Sequence, residues 1–438
     1  MLNLATSESQ QLQRSAVVGA NISSPSNWLL GVVVSYLLGL VFVPLEGVVP
    51  ITFGAFLYWI TATFAFWVSI RFSETRNSFV PDENLRIRVK DRIFATQLVV
   101  CISIAGMALL VFDRHVVRGA PLSFDFFAVR EALENRSVGS LGMISASLSA
   151  FAPFAWVSCH LLRATGPTLG RPWFVVSMFA AIAYVVVSLM AGSRTVLIMV
   201  LFVQLFAIHY VRVRFLGRAI SIGYLLWLGI LMVIGTLLLT SIMYLRLEDM
   251  GLDPLISIRS SGYSELLQPS PWLLSTLETK SVGTAAMLAA LVSILMYIYH
   301  GLFEFSLLFE SFAGPHTLGG ATLWLPIKVV DTVFGVDFTV DIYSLQGVRF
   351  GIFTTFLGPV FIDFGLAAYP ALAVLGYLFG VPYRQASERR IEWVPLSLVI
   401  YPILILFPIH NMIDSAAGAY LLAAALIIVM LHKTRFLR

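Results

Sequence analysis

The sequence predicts an all-α integral membrane protein, polytopic, with 10–12 transmembrane helices. Of its 438 residues, 58% are hydrophobic and 12% are charged, and a soluble protein carries about twice that charged fraction. The mean hydropathy is +0.88, and the apolar residues occur in runs close to the ~20 residues that cross a bilayer. This composition excludes a soluble enzyme, a coiled coil, a disordered chain and a nucleic-acid-binding domain. Nucleic acid is therefore not an expected partner.

Ten segments are long and apolar enough, or nearly so, to form membrane spans. They are roughly 27–45, 48–70, 93–112, 141–162, 173–192, 195–211, 220–243, 353–382, 394–409 and 416–431. The segment 353–382 is too long for one simple span and contains Gly358-Pro359, so we expect it to begin as a half-helix at the membrane surface. The apolar segment 284–313 is interrupted by His300-Gly301 and Glu304. This favours two short spans, or two helices that lie in or dip into the membrane.

The distribution of charge predicts the orientation of the chain. If the N-terminus is cytoplasmic, the cytoplasmic segments hold 18 of the 28 basic residues and 7 of the 24 acidic ones, a net charge of +11. The remainder holds 10 basic and 17 acidic residues, a net −7. Lys and Arg accumulate in loops that are not translocated, so both termini are expected in the cytoplasm of a multi-pass protein.

The chain is predicted to be one membrane-embedded domain over 1–438, because no polar stretch is long enough to fold separately. Two longer segments, 113–140 and 244–352, then lie outside the cell membrane. The second is rich in Trp, Leu, Pro and Gly, so we expect a large region that folds against the membrane rather than a disordered linker. Function is expected on this outer face. No GxxxxGK[ST] motif occurs, so ATP-driven work is not expected.

Three arginines are candidate ligands for phosphate or pyrophosphate. Arg194 lies in a tight hairpin between two apolar runs, and Arg246 and Arg259 follow the next apolar run. An arginine at the membrane is costly unless it faces a wet cavity or an anion, and its planar guanidinium forms paired hydrogen bonds to phosphate oxygens. The alternative for Arg194 is a side chain that snorkels to the headgroups. The alternative for the other two is an ordinary loop surface.

Two groups are candidate catalytic residues. Asp363 is the acid most clearly inside a span, and His300 lies in an apolar run with a side chain suited to general-base work near neutral pH. Structural roles compete with catalysis for both. His410, Asn411 and Asp414 form a weaker candidate group at an outer loop. Asp337 and Asp341 favour a metal pair only weakly, and no HExxH, DxD or CxxC motif occurs, so neither metal nor cofactor is expected.

Three stretches, 297–328, 352–380 and 191–195, together resemble the bacterial Wzy-type O-antigen polymerases, which polymerise oligosaccharide repeat units. The run 297–328, YIYHGLFEFSLLFESFAGPHTLGGATLWLPIK, is similar to their Tyr-containing segment followed by Gly-rich and Thr/Leu/Pro-containing stretches. The run 352–380 looks like their final third, with Asp-Phe-Gly before a span. Ala-Gly-Ser-Arg-Thr at 191–195 is similar to a Gly-Ser-Arg turn that precedes a helix in many members.

The resemblance implies a metal-independent glycosyltransferase of the C type, in the bacterial inner membrane, with its active site facing the periplasm. Its substrates would be undecaprenyl-pyrophosphate-linked glycans. A hydroxyl of one repeat unit would attack the anomeric carbon of the growing chain, and undecaprenyl pyrophosphate would leave. Arg194, Arg246 and Arg259 would bind the pyrophosphate, and Asp363 or His300 would be the base. A polysaccharide chain-length regulator is a further partner of this family.

Three other functions stay open at this stage. A lipid-linked glycan flippase or secondary transporter shares the topology, but the repeated halves of many transporters are not evident here. An O-antigen ligase shares every bulk feature of a polymerase. A structural membrane scaffold would not need an arginine in the 192–195 hairpin.

Overall fold

The computed structural model describes residues 24–76, 89–123, 125–135, 138–164, 169–191, 193–214, a few positions between 223 and 259, 261–280, 282–349, 354–388 and 390–433. It is 77% helical, and nine helices in these ranges are long and apolar enough to cross a membrane. The prediction of an all-α polytopic membrane protein is confirmed at this level. The predicted span 220–243 lies almost wholly outside the described residues.

The helices are numbered here in chain order. They are α1 (Pro25–Phe42), α2 (Phe53–Thr75), α3 (Val89–Val111, continued by a π-helical turn Phe112–Val117), α4 (Phe126–Glu134), α5 (Ser140–Ser149), α6 (Ala152–Ala164), α7 (Arg171–Met190), α8 (Arg194–Arg214), α9 (Pro271–Glu278), α10 (Val282–Ser311), α11 (Trp324–Phe334), α12 (Leu357–Phe364), α13 (Tyr369–Ser387), α14 (Val394–Ile405) and α15 (Ala416–Lys433). Two short strands, β1 (Leu45–Gly47) and β2 (Leu267–Pro269), pair antiparallel with Glu46 opposite Gln268.

The first two helices begin at residues that satisfy free backbone N–H groups. The Ser24 hydroxyl accepts from the Asn27 N–H at 3.3 Å, and Pro25 follows at the first helical position, where no N–H is needed. The Thr52 hydroxyl accepts in the same way from the Ala55 N–H at 3.3 Å. The first cap fixes the start of α1, and the second fixes the point where the turn that contains β1 gives way to α2.

Helices α2 and α13 form the most extensive helix pair, and two glycines allow their close approach. A Cβ atom at Gly376 would lie 2.5 Å from the Phe66 carbonyl oxygen, and one at Gly380 would lie 2.7 Å from that of Ile70. Small residues spaced four apart let backbones come together in membrane proteins, where dispersion contacts replace the hydrophobic effect as the driving force.

The segment 353–382 forms a short helix and a long one, as predicted. Helix α12 ends at Phe364, a 3₁₀ turn covers Gly365–Ala368, and α13 begins at Tyr369. Gly365 has φ of +54° and its carbonyl accepts from the Tyr58 hydroxyl at 3.0 Å, so the break is held by α2. Helix α14 is buried from Val394 to Leu404 and ends at Ile405, four residues earlier than predicted.

The expectation of two short helices over 284–313 is wrong, because α10 is one uninterrupted 30-residue helix. His300-Gly301 does not break it. A Cβ atom at Gly301 would lie 2.7 Å from the Pro408 carbonyl oxygen. The glycine therefore serves close packing against the segment that follows α14, at the helix-propensity cost of about 1 kcal/mol that glycine carries relative to alanine.

Contacts place the C-terminal half of α10 across the turn of the α1–α2 hairpin. Tyr36 donates to the Tyr299 carbonyl at 3.1 Å, the Thr52 N–H donates to the Ser306 hydroxyl at 3.0 Å, and the Tyr58 ring lies 5.6 Å from that of Phe309. These hydrogen bonds and ring contacts all fall between residues 36 and 58 of the hairpin. The C-terminal half of α10 therefore packs at the end of the bundle where β1 and β2 lie.

Candidate functional site

A polar cavity of about 340 Å³ lies at this end of the bundle. Residues that are far apart in the sequence form its wall, from the start of α8, the C-terminal half of α10, the 342–349 loop, α12 and the turn before α15. The polar side chains that line it are Ser193, Thr195, Glu304, Arg349, Thr354, His410, Asp414 and Ser415. The rest of the wall is apolar. The cavity therefore combines a few convergent polar groups with an apolar lining, as ligand sites usually do.

Three helices begin at the cavity wall. Ser193 and Thr195 flank the first residue of α8, Trp324 is the first residue of α11, and Ser415 precedes the first residue of α15. The N-terminal end of a helix carries a partial positive charge and unsatisfied N–H groups. The arrangement therefore favours an anion in the cavity.

An arginine between two glutamates forms the charged centre of the cavity. Arg349 donates from Nη1 to Oε2 of Glu304 at 3.1 Å, and from Nη2 to Oε2 of Glu265. Glu304 is buried, whereas Glu265 is exposed. Of the two carboxylate oxygens of Glu304, only Oε2 accepts a hydrogen bond from a described residue. Oε1 is therefore available to a bound hydroxyl group.

His410 and Asp414 form a second polar pair in the wall, with 3.7 Å between Nε2 and Oδ1. Burial lowers the pKa of His410 to about 3, and the neighbouring His300 contributes to this. Burial also raises the pKa of Asp414 well above its ordinary value, with a contribution from Asp363. Both groups are thus biased toward their neutral forms. This limits the negative charge that a bound anion would meet.

Asp363, predicted as a catalytic base, lies behind the cavity wall and binds the backbone. Its Oδ1 accepts from the Thr317 hydroxyl and, at 2.8 Å, from the Ala321 N–H, while Oδ2 accepts from the Thr322 N–H at 2.8 Å. The carboxyl group is fully buried. Both oxygens are used to hold the 317–322 turn that leads into α11, so the geometry favours a positioning role.

His300, the second predicted base, is also fully buried and does not line the cavity. Its Nδ1 lies 2.7 Å from the Tyr297 carbonyl oxygen, one turn earlier on α10. Its ring lies 4.5 Å from that of Tyr263. His300 therefore packs against the segment before β2 and is not among the residues that line the cavity.

The structure separates the three predicted pyrophosphate ligands. Arg194 is the first residue of α8, between two cavity-lining residues, although its side chain lies outside the described part of the chain. Arg246 lies wholly outside the described residues. Arg259 is exposed, pairs with Glu278 at 3.2 Å, and is not among the cavity-lining residues. Of the three positions, the structure brings that of Arg194 to the cavity.

Sequence reasoning missed the Glu304–Arg349 pair. Glu304 was visible as the sole acid between residues 282 and 309 of an apolar helix, and a carboxylate there requires a partner. Nothing in the sequence identified Arg349 as that partner, because 45 residues separate the two. Among the described residues no three His, Cys, Asp or Glu side chains cluster as metal ligands, and Asp337 and Asp341 form no such group.

An apolar cavity of about 510 Å³ adjoins the polar one. It lies between α1 and the C-terminal end of α14, and it is open on one side. Trp28 and Ser35 on α1, Tyr299 on α10, and Pro408 and Ile409 line it. The two cavities share the wall segment 408–410, since Ile409 lines the apolar cavity and His410 lines the polar one.

No family model, curated protein or solved structure matches the chain. The functional assignment therefore depends on the site itself.

Proposed function

We propose that the protein is an oligosaccharide repeat unit polymerase of the inner membrane. It would transfer a growing glycan from undecaprenyl pyrophosphate to a hydroxyl group of the next lipid-linked repeat unit. The observation that carries the proposal is the polar cavity, where three helix N-termini, a buried Glu–Arg pair and an adjoining apolar groove meet. Few functions of a membrane protein need an anion site and a proton acceptor next to an apolar cavity that could hold a lipid chain.

The pyrophosphate would bind at the helix N-termini that border the cavity. Backbone N–H groups and the partial positive charge there stabilise the negative charge that grows on the leaving group. Arg194 at the start of α8 would add a full positive charge. The polyprenyl chain would lie in the apolar cavity beside α1. This cavity adjoins the polar cavity at the segment 408–410.

Glu304 is the residue best placed to act as the base. The acceptor oxygen forms a bond to the anomeric carbon while the bond from that carbon to the pyrophosphate oxygen breaks. The hydroxyl proton passes to Oε1 of Glu304, and Arg349 holds the other oxygen of the carboxylate. Undecaprenyl pyrophosphate leaves with the electron pair of the broken bond. The proposal thus moves the catalytic role from Asp363 and His300 to Glu304.

The decisive experiment is a reaction of the purified protein with undecaprenyl-pyrophosphate-linked repeat units, without ATP. A ladder of products that differ by one repeat unit supports the polymerase. Movement of labelled lipid across liposomes without chain growth would show a flippase or transporter instead. Transfer of finished glycan to lipid A core without a ladder would show a ligase.

Arg194→Ala provides a direct test of the anion site. We expect this variant to lose chain growth, by roughly 10²–10³-fold if Arg194 acts like one donor to a developing oxyanion. The matched control is Arg259→Ala, which removes an exposed arginine that pairs with Glu278 outside the cavity. Chain growth at the normal rate in Arg194→Ala would refute the role of this arginine.

A further inference from the structure

Two arginines converge on one phenol at the opposite end of the bundle. Helix α2 begins beside α10 and runs about 34 Å away from it, at 1.5 Å per residue over 23 residues. There Arg76, which caps α2, donates to the Tyr377 hydroxyl at 3.3 Å. Arg384, in the last turn of α13, donates to the Ser73 carbonyl at 3.3 Å, and its guanidinium group lies close enough to the Tyr377 hydroxyl to interact with it electrostatically. The α2–α13 packing therefore holds two guanidinium groups around one point.

These two arginines differ from other arginines of the structure in their partners. Among the described residues, neither Arg76 nor Arg384 forms an ion pair with a carboxylate. By contrast, carboxylates pair with Arg71 (Glu74), Arg118 (Asp113), Arg259 (Glu278), Arg349 (Glu304 and Glu265) and Arg390 (Glu388). Two cations around a neutral phenol repel each other, and an anion between them would remove that repulsion.

The surface next to this arginine pair is apolar and exposed. Phe72, Val374 and Leu378 are 59%, 60% and 54% exposed. The Phe72 ring lies 6.4 Å from that of Tyr377, and Val374 and Leu378 are one helical turn apart beside it. In a membrane protein such side chains face lipid tails. The two arginines thus lie where the polar headgroup of an adjoining lipid would be.

We propose that Arg76, Arg384 and Tyr377 bind the phosphate group of an anionic phospholipid, whose acyl chains lie along Phe72, Val374 and Leu378. The charge of the arginine pair selects an anion, and the planar guanidinium groups match phosphate oxygens. The adjoining apolar surface selects a lipid over free phosphate. Basic pockets between transmembrane helices bind anionic lipid headgroups in this way. This inference does not depend on the proposed glycosyl transfer.

The test is a lipid titration of the purified full-length protein, followed by native mass spectrometry. Phosphatidylglycerol is titrated against wild type, Arg76→Gln and Arg76→Gln/Arg384→Gln, with zwitterionic phosphatidylcholine in parallel. A basic residue near an anionic headgroup is worth about 1 kcal/mol, which is about fivefold in affinity. We therefore expect about fivefold weaker phosphatidylglycerol binding in the single variant and about 25-fold in the double variant, without change for phosphatidylcholine.

Arg71→Gln is the matched control, because it removes one positive charge from the same end of α2, where Arg71 lies 3.7 Å from Glu74. It should bind phosphatidylglycerol nearly as wild type does. Equal loss in Arg71→Gln and Arg76→Gln would show a diffuse surface potential and overturn the site. Wild-type binding by the double variant would also overturn it. Millimolar inorganic phosphate that displaces the lipid completely would make the ligand a free phosphate ion, which contradicts the proposed lipid.

Discussion

At the scale of single residues, the Glu304–Arg349 pair decides the proposed chemistry. Glu304→Gln keeps the shape of the side chain and removes the proton acceptor. We expect chain growth to fall by about 10²–10⁴-fold, the usual contribution of a general base. Arg349 retains its contact with Glu265 in this variant, so the loop should stay in place. The measurement is the rate of ladder formation by the purified variant.

Glu310→Gln is the control for this variant. Glu310 lies on the same helix, accepts from the Thr52 hydroxyl at 2.7 Å and is not among the cavity-lining residues. It should polymerise at close to the wild-type rate. Equal rates in Glu304→Gln and Glu310→Gln would remove Glu304 from the catalytic step and leave the carboxyl of Asp414 as the next group to test.

Asp363 is expected to affect stability first. The Asp363→Asn amide presents one NH₂ group where an oxygen was, so the N–H of either Ala321 or Thr322 loses its acceptor. A buried donor left unsatisfied costs about 1–3 kcal/mol. Thermal unfolding should therefore shift to lower temperature, whereas the exposed control Asp337→Asn should leave it unchanged. An inactive Asp363→Asn protein with wild-type thermal stability would restore Asp363 as the base.

The sequence could single out Asp363 but not its role. A carboxylate within an apolar run needs partners, and this holds equally for a catalytic and a structural group. Its partners here are backbone N–H groups at Ala321 and Thr322, which every residue except proline carries and which no motif can reveal. The role became visible only when the fold brought the 317–322 turn next to α12.

At the scale of helices, the apolar runs predicted the elements well and their packing poorly. An interruption within 353–382 could be expected from its excessive length, but it lies at Gly365–Ala368 and not at Gly358-Pro359, which falls in the first turn of α12. The continuity of α10 could not be expected, because Gly301 suggests a helix break wherever no close neighbour is known. Its reason lies in the Pro408 carbonyl oxygen, over a hundred residues away in the chain.

The glycines of α13 make a testable claim about the α2–α13 pair. A Cβ atom in Gly380→Ala would lie 2.7 Å from the Ile70 carbonyl oxygen and 2.7 Å from the Ser73 Cβ, so the backbones must separate. Overpacking of this kind costs about 1–3 kcal/mol. We expect a lower unfolding temperature in detergent. Gly31→Ala is the control, since its new Cβ would meet no atom of another element within 4 Å and alanine favours the helix. Equal stability of the two variants would contradict the tight packing.

At the scale of the whole molecule, the cavity and the far ends of α1 and α15 mark two ends of the bundle. The chain enters α1 at the end where Glu74 accepts from the Ser26 N–H at 2.9 Å, and it leaves α15 at Lys433. Helix α15 begins at the cavity and spans 18 residues, or about 27 Å. The cavity and the C-terminal end of α15 are therefore at opposite ends of the bundle. The excess of basic residues predicts that the terminal end is cytoplasmic, which leaves the cavity to face outward.

Labelling of single cysteines in spheroplasts with a membrane-impermeant maleimide tests this orientation. Cys101 is first replaced by Ser and Cys159 by Ala, because both are free thiols that could react with the maleimide. Glu278→Cys, exposed on α9 at the cavity end, should react in intact spheroplasts. Thr75→Cys, exposed at the far end of α2, should react only after permeabilisation. The reverse pattern would turn the cavity toward the cytoplasm. A polymerase that elongates glycans on the outer face could not then use it, whereas the fold and the lipid site at Arg76 and Arg384 would stand.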